Sequence, residues 1–115
     1  MTVALALIGN PNSGKTSLFN ALTGDNRTVG NWAGVTVRLE QGSFIYENQA
    51  MELIDLPGIY SLATPAPEQK AVAGYLQNHQ PDVLINVVDS TNLARNLYLT
   101  SQLAEAGLPL VVALN

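Results

Sequence analysis

The chain has 115 residues and a formal net charge of −4, from 9 Asp and Glu against 5 Lys and Arg. Hydrophobic residues make up 47%, enough for one folded domain and too many for disorder, while charged residues reach only 12%. The absence of cysteine excludes disulfides, zinc knuckles and thiol catalysis, and the absence of any Lys/Arg cluster argues against nucleic-acid binding.

Residues 3–8 form a short continuous apolar run, the pattern of a strand buried on both faces. They lack the basic start and small-residue cleavage site of a signal peptide, and no apolar stretch approaches the ~20 residues of a membrane helix. Gly9-Asn10-Pro11-Asn12-Ser13-Gly14 reads as a loop. A helix is expected over residues 15–22, with Leu18, Phe19 and Leu22 on one face and Gly24 closing it. Residues 25–34, with two glycines, two asparagines and the lone Trp32, read as a long surface loop. Residues 35–46 and 51–55 predict two antiparallel strands joined near 47–49. A proline-rich loop over 56–67 precedes a helix at 68–78 with Val72, Tyr75 and Leu76 inward. His79, the sole histidine, reads as an exposed helix-end residue, which gives direct metal binding there little support. A second buried strand at 83–88, a helix at 93–106 ended by Gly107 and a third buried strand at 108–114 complete the chain.

Strands alternating with helices imply right-handed crossovers and a three-layer α/β fold. Its sheet should be mostly parallel with one antiparallel strand. A chain that stops on an apolar strand, at Asn115, reads as a C-terminally incomplete domain.

Three groups of residues carry chemistry. Gly9 through Thr16 fit G-x-x-x-x-G-K-S/T in full, between a predicted strand and a predicted helix. Glycines let successive N–H groups curl around phosphate oxygens, and the following helix adds its positive end. Lys15 supplies a cation for the β- and γ-phosphates, and the Thr16 hydroxyl can ligate Mg²⁺. The plain alternative is a glycine-rich turn before an exposed lysine.

Asp55 and Gly58 form an Asp-x-x-Gly at a strand's carboxyl end, where an aspartate can hold a Mg²⁺-bound water and a bare N–H can meet the γ-phosphate. Alone it is a common turn signal. Following a phosphate loop, it points to a GTPase-type switch. Thr36 stands where a first switch loop would close over Mg²⁺ and γ-phosphate, although a β-branched strand residue explains it equally. Ile59 occupies the place where many small GTPases carry a water-orienting glutamine, so water must be positioned otherwise or hydrolysis is slow. Glu68, Gln69 and Lys70 are nearby candidates, better explained as a solvated helix start.

Together these residues resemble the N-terminal G domain of the ferrous-iron transport protein B family. The resemblance runs through IGNPNSGKTSLFN (8–20), VGNWAGVTV (29–37), DLPGIYS (55–61), LINVVD (84–89), NLARNLYLT (92–100) and VALN (112–115). It implies a P-loop NTPase fold of the Ras-like GTPase kind over residues 1–115, binding GTP or GDP. Gly9, Asn10, Pro11, Asn12, Ser13, Gly14, Lys15, Thr16 and Ser17 would hold the phosphates. Thr16, Thr36 and Asp55 would serve Mg²⁺, and Lys15, Thr36, Gly58 and Asn12 catalysis. The family's potassium-stimulated hydrolysis implies a K⁺ site from Asn12 with the backbone carbonyls of Gly30 and Trp32, a cation that could replace an arginine finger. Asn115 matches the first position of the guanine-recognising Asn-x-x-Asp.

The resemblance also implies partner domains in an intact protein, a helical GDP-stabilising domain and a transmembrane iron-permeating region, with the G domain on the cytoplasmic face of a bacterial inner membrane. GTP hydrolysis gating Fe(II) uptake is the leading expectation. A slow nucleotide-sensing switch for the membrane domain, another P-loop GTPase linked to ribosome or tRNA, and an inactive fragment are the alternatives.

Overall fold

The computed structural model describes residues 2–115. Its elements in chain order are β1 (Val3–Gly9), α1 (Lys15–Thr23), β2 (Arg27–Gly30), β3 (Leu39–Tyr46) and β4 (Gln49–Asp55). Then come α2 (Pro67–Asn78), β5 (Val83–Val88), a 3-10 turn at Ser90–Asn92, α3 (Leu93–Glu105) and β6 (Leu110–Leu114). The strands form one sheet in the order β2-β3-β4-β1-β5-β6. β1 pairs in parallel with β4 and β5, and β5 with β6, whereas β3 runs antiparallel to both β2 and β4. Of these strands β3 alone runs against the rest, as the sequence predicts.

The side-chain alternation of β1 explains its unbroken apolar run. Leu5 and Leu7 point to one face and pack with Phe19 of α1, Leu53 and Val87. Ala6 and Ile8 point to the other and pack with Val72 and Tyr75 of α2 and Leu99 and Leu103 of α3. The sheet is therefore covered on both sides, with Leu7, Ile8, Phe19, Leu53, Leu84 and Leu99 fully buried. Each such side chain contributes roughly 1.5–3 kcal/mol of transfer free energy. No helix among the described residues is long and apolar enough to cross a membrane.

Local sequence sets the element ends. Pro67 starts α2 at a position that needs no donor. Gly24 follows α1 with φ 55, its N–H returned to the Asn20 carbonyl at 3.0 Å. Glu47 and Asn48, with φ 49 and 65, make the tight two-residue connection between β3 and β4.

Three elements differ from the sequence reading, the first being β6, expected as a buried strand but largely exposed at Val111, Val112 and Leu114. Residues 27–30 form the edge strand β2, paired from Arg27↔Gly42 to Gly30↔Leu39, where a loop is expected. Its side chains are exposed or half-buried, so backbone pairing with β3 creates it without an apolar pattern. β3 begins at Leu39 rather than 35, because Val35 and Val37 leave the ladder to pack against the α2 and α3 side of the core.

The carboxyl ends of β1, β4, β5 and β6 lie on one edge of the sheet. The loops that follow them, and Asn115, gather there, as ligand-binding loops do in open α/β sheets.

Candidate nucleotide-phosphate site

The loop after β1 must turn sharply to feed α1, and it does so through Asn12 at φ 65 and Gly14 at φ 96. The Ser13 N–H donates to the Asn10 carbonyl at 3.2 Å, and Leu18 N–H to the Gly14 carbonyl at 3.1 Å opens the helix. No side chain caps α1. Its first N–H groups therefore remain available to an anion. A cleft of about 480 Å³ lies there, lined by Asn10, Pro11, Asn12, Gly14, Lys15, Thr16, Ser17 and Gly58.

Lys15 is 8% exposed, and its ammonium pairs with the Asp55 carboxylate at the end of β4. Burial pushes the Asp55 carboxyl above its ordinary range; the Lys15 ammonium pulls it down, and Glu40, opposite it on β3, pushes it up again. The arrangement is a buried cation held by a carboxylate that is itself poorly solvated. A phosphate entering the cleft would compete with Asp55 for that cation.

The loop after β4 is tied to the phosphate loop by its backbone. Leu56 N–H donates to the Leu7 carbonyl at 3.1 Å and Ile59 N–H to the Gly9 carbonyl at 2.9 Å. A Cβ on Gly58 would stand 3.0 Å from the Pro11 backbone, so any larger residue would have to push the two loops apart. Ile59 is 2% exposed and lies in the core, so its side chain serves packing rather than water. The next residues are held by α3: Gln102 donates to the Ser61 hydroxyl at 3.1 Å and accepts from Leu62 N–H at 2.8 Å. The Arg95 guanidinium sits 3.8 Å over the Tyr60 ring.

Asn115 braces the phosphate loop: its side-chain amide donates to the Ser13 carbonyl at 3.0 Å, and its backbone N–H to the Val88 carbonyl at 2.8 Å. Gly9 is a packing position, since a Cβ there would come within 2.7 Å of the Val87 carbonyl oxygen. Both amide atoms of Asn10 and the Ser13 hydroxyl are buried without a partner. Orphaned polar atoms at such a loop are what a ligand-binding site shows when its protein groups do not satisfy one another.

The structure thus gathers the residues from Gly9 to Ser17 with Asp55, Gly58 and Asn115. Gly30, Trp32 and Thr36 do not line the cleft. Gly30 ends β2, Thr36 is exposed, and Trp32 is half-buried against α2 rather than loose on the surface. His79 is likewise half-buried and packs on Trp32. For a divalent cation of the Mg²⁺ kind, the Thr16 hydroxyl and the Asp55 carboxylate are suitable hard oxygen donors. The Asn12 carboxamide, exposed on the cleft, is a neutral oxygen donor that suits K⁺. Among the described residues no three or more His, Cys, Asp or Glu side chains come together to hold a metal.

A polar network beneath the loop escapes the sequence reading. Asn86, buried in β5, donates to the Ile8 carbonyl at 3.3 Å and accepts from the Thr100 hydroxyl at 2.5 Å. Asn96 accepts from Asp89 N–H at 3.0 Å and donates to the Asn92 carbonyl at 2.8 Å. The signal was present: an asparagine inside an apolar strand, with Asn92, Asn96 and Thr100 spaced one helical turn apart. Buried amides need partners.

A sequence model for ferrous iron transport protein B matches residues 3–115. The Fe(2+) transporter FeoB of Escherichia coli K12 is 52% identical over 117 residues, covering 98% of this chain and 15% of the transporter. The chain therefore spans 15% of the length of that curated relative. The crystal structure of the G domain of the T. maritima FeoB iron transporter superposes with a TM-score of 0.90 at 43% identity, over 99% of this chain and 72% of that one. A GDP-bound variant of the S. thermophilus FeoB G domain gives 0.86 at 54% identity, over 98% and 43%.

Proposed function

The chain belongs to the ferrous iron transport protein B family, and from that membership we propose that it binds guanine nucleotide and hydrolyses GTP. The observation that carries this is the cleft at the start of α1, with Lys15 at its base and Gly58 on its rim. Lys15 exchanges the Asp55 carboxylate for β- and γ-phosphate oxygens, and the uncapped N–H groups of α1 take the remaining phosphate charge. The freed Asp55 and the Thr16 hydroxyl would hold Mg²⁺. Thr36 would join them when its loop closes. Asn12 would hold K⁺ with the carbonyls of Gly30 and Trp32 once that loop reaches the cleft. The chemistry such cations supply is neutralisation of charge on the phosphate oxygens as the transition state forms.

In the intact protein the chain forms the N-terminal part of the G domain, on the cytoplasmic face of the bacterial inner membrane. It acts there with a helical GDP-stabilising domain and a transmembrane region, so that GTP turnover gates Fe(II) uptake. Phosphate release from GTP tests the enzymatic part: turnover should be lost in Lys15→Ala, and equal turnover in both proteins would refute it. The burial of Ile59 favours a second reading, a slow switch whose hydrolysis only resets it. Single-turnover rates separate the two.

A further inference from the structure

The loop between β2 and β3 is held by contacts that involve no phosphate group. The Trp32 ring meets Tyr75 edge-on at 5.6 Å between centroids and His79 at 4.9 Å, while Tyr75 and His79 stack at 5.2 Å. The His79 Nε2–H donates to the Ala33 carbonyl at 3.2 Å. The Trp32 carbonyl, a proposed K⁺ ligand, accepts instead from Val35 N–H at 3.1 Å. A Cβ on Gly74 would stand 2.0 Å from the Gly34 carbonyl oxygen, so loop and helix backbones touch there, and Gly34 itself takes φ 78. Burial holds the Tyr75 phenol neutral, its pKa pushed up to about 12. The end of α2 is a fitted seat for residues 32–34, with a ring for the indole, a donor for the carbonyl and a glycine for the close approach.

We infer that His79 is a positioning residue that seats this loop on α2 and thereby sets the preference between diphosphate and triphosphate. The inference rests on the nucleotide reading above and adds a residue that nothing in that reading uses. While the loop is seated, Gly30, Trp32 and Thr36 stay off the cleft. A diphosphate is bound by the phosphate loop without them. A triphosphate that engages Thr36 must first unseat the loop, and its apparent affinity falls by the fraction of molecules already unseated. Removing the seat therefore favours the triphosphate selectively. A residue that served packing alone would weaken the fold and leave the ratio of affinities unchanged.

Trp32 is the sole tryptophan, so its emission reports the loop directly. GDP and a non-hydrolysable GTP analogue are titrated into this chain and into His79→Ala and His79→Gln, with acrylamide quenching of Trp32 in each state. In the parent protein Trp32 should be shielded when free and with GDP, and quenchable with the analogue. His79→Ala should be quenchable throughout, with the analogue-to-GDP affinity ratio raised about fivefold, the scale of one aromatic contact. His79→Gln, which keeps a donor for the Ala33 carbonyl, should fall between; if His79→Ala does not fold, the His79→Gln ratio decides. An unchanged ratio, or identical quenching with GDP and analogue while both bind, overturns the inference. If the parent binds neither nucleotide, the nucleotide reading itself fails and the inference falls with it.

Discussion

The Lys15 ammonium and the Asp55 carboxylate pair where α1 begins and β4 ends. Their pairing leaves a carboxyl whose burial raises its pKa despite the adjacent cation. The native state therefore holds a proton at Asp55 more tightly than the unfolded chain does. Between the ordinary carboxylate value and Asp55's own, native protein carries more protons, so this contribution to stability is present at low pH and lost as pH rises through the folded value. Urea midpoints measured across the acid range should fall less with rising pH in Asp55→Asn than in the parent. Parallel curves would contradict the assignment. Asn12 carries a separate expectation. GTP hydrolysis should run about tenfold faster in KCl than in NaCl at matched ionic strength, the ~1.4 kcal/mol of a modest charge-stabilising contact. Asn12→Ala should abolish the difference while sparing GDP affinity. Equal rates in the two salts would remove the cation site. At this scale the motif residues were legible because phosphate chemistry restricts residue type so strongly. The pairing of Lys15 with Asp55 was not, since it depends on a β1–β4 register that no local pattern encodes.

Among the elements, the buried strands announced themselves by apolar runs and the helices by their spacing and their glycine or proline ends. β2 did not, because an edge strand needs only a neighbour's backbone, and its residues face solvent. The segment after it, with two glycines and two asparagines nearby, reads as loose, yet Trp32, Val35 and Val37 pack against the core. Local composition registers chain freedom and cannot register a distant seat such as Tyr75. The exposure of Thr36 gives this loop a definite prediction. Thr36→Ala should leave GDP affinity unchanged and slow GTP hydrolysis, as the proposed closure of its loop over a triphosphate requires. Equal losses for both nucleotides would make Thr36 a strand-flanking residue and nothing more. The network between β5 and α3 gives another. Asn86→Leu removes two buried hydrogen bonds, leaving the Thr100 hydroxyl only its 3.3 Å bond to the Asn96 carbonyl, and should destabilise the chain by about 1–3 kcal/mol in urea denaturation. An unchanged midpoint would show that the network bears no weight.

For the molecule as a whole, the sheet order places four strand ends beside one another, and the loop from Gly9 to Gly14, Asp55, Gly58 and Asn115 gather on that edge. The alternation of strands and helices made this architecture legible, because right-handed crossovers leave few ways to arrange parallel strands. Which loops touch was not legible, being decided by packing across the sheet. On the proposal made above, the cleft at the start of α1 is a guanine-nucleotide phosphate site centred on Lys15. Calorimetric titration of GDP into the chain and into Lys15→Ala, with matched urea midpoints to show that both fold, tests it most directly. The parent should bind GDP and Lys15→Ala should not; equal affinity in the two proteins would rule the site out.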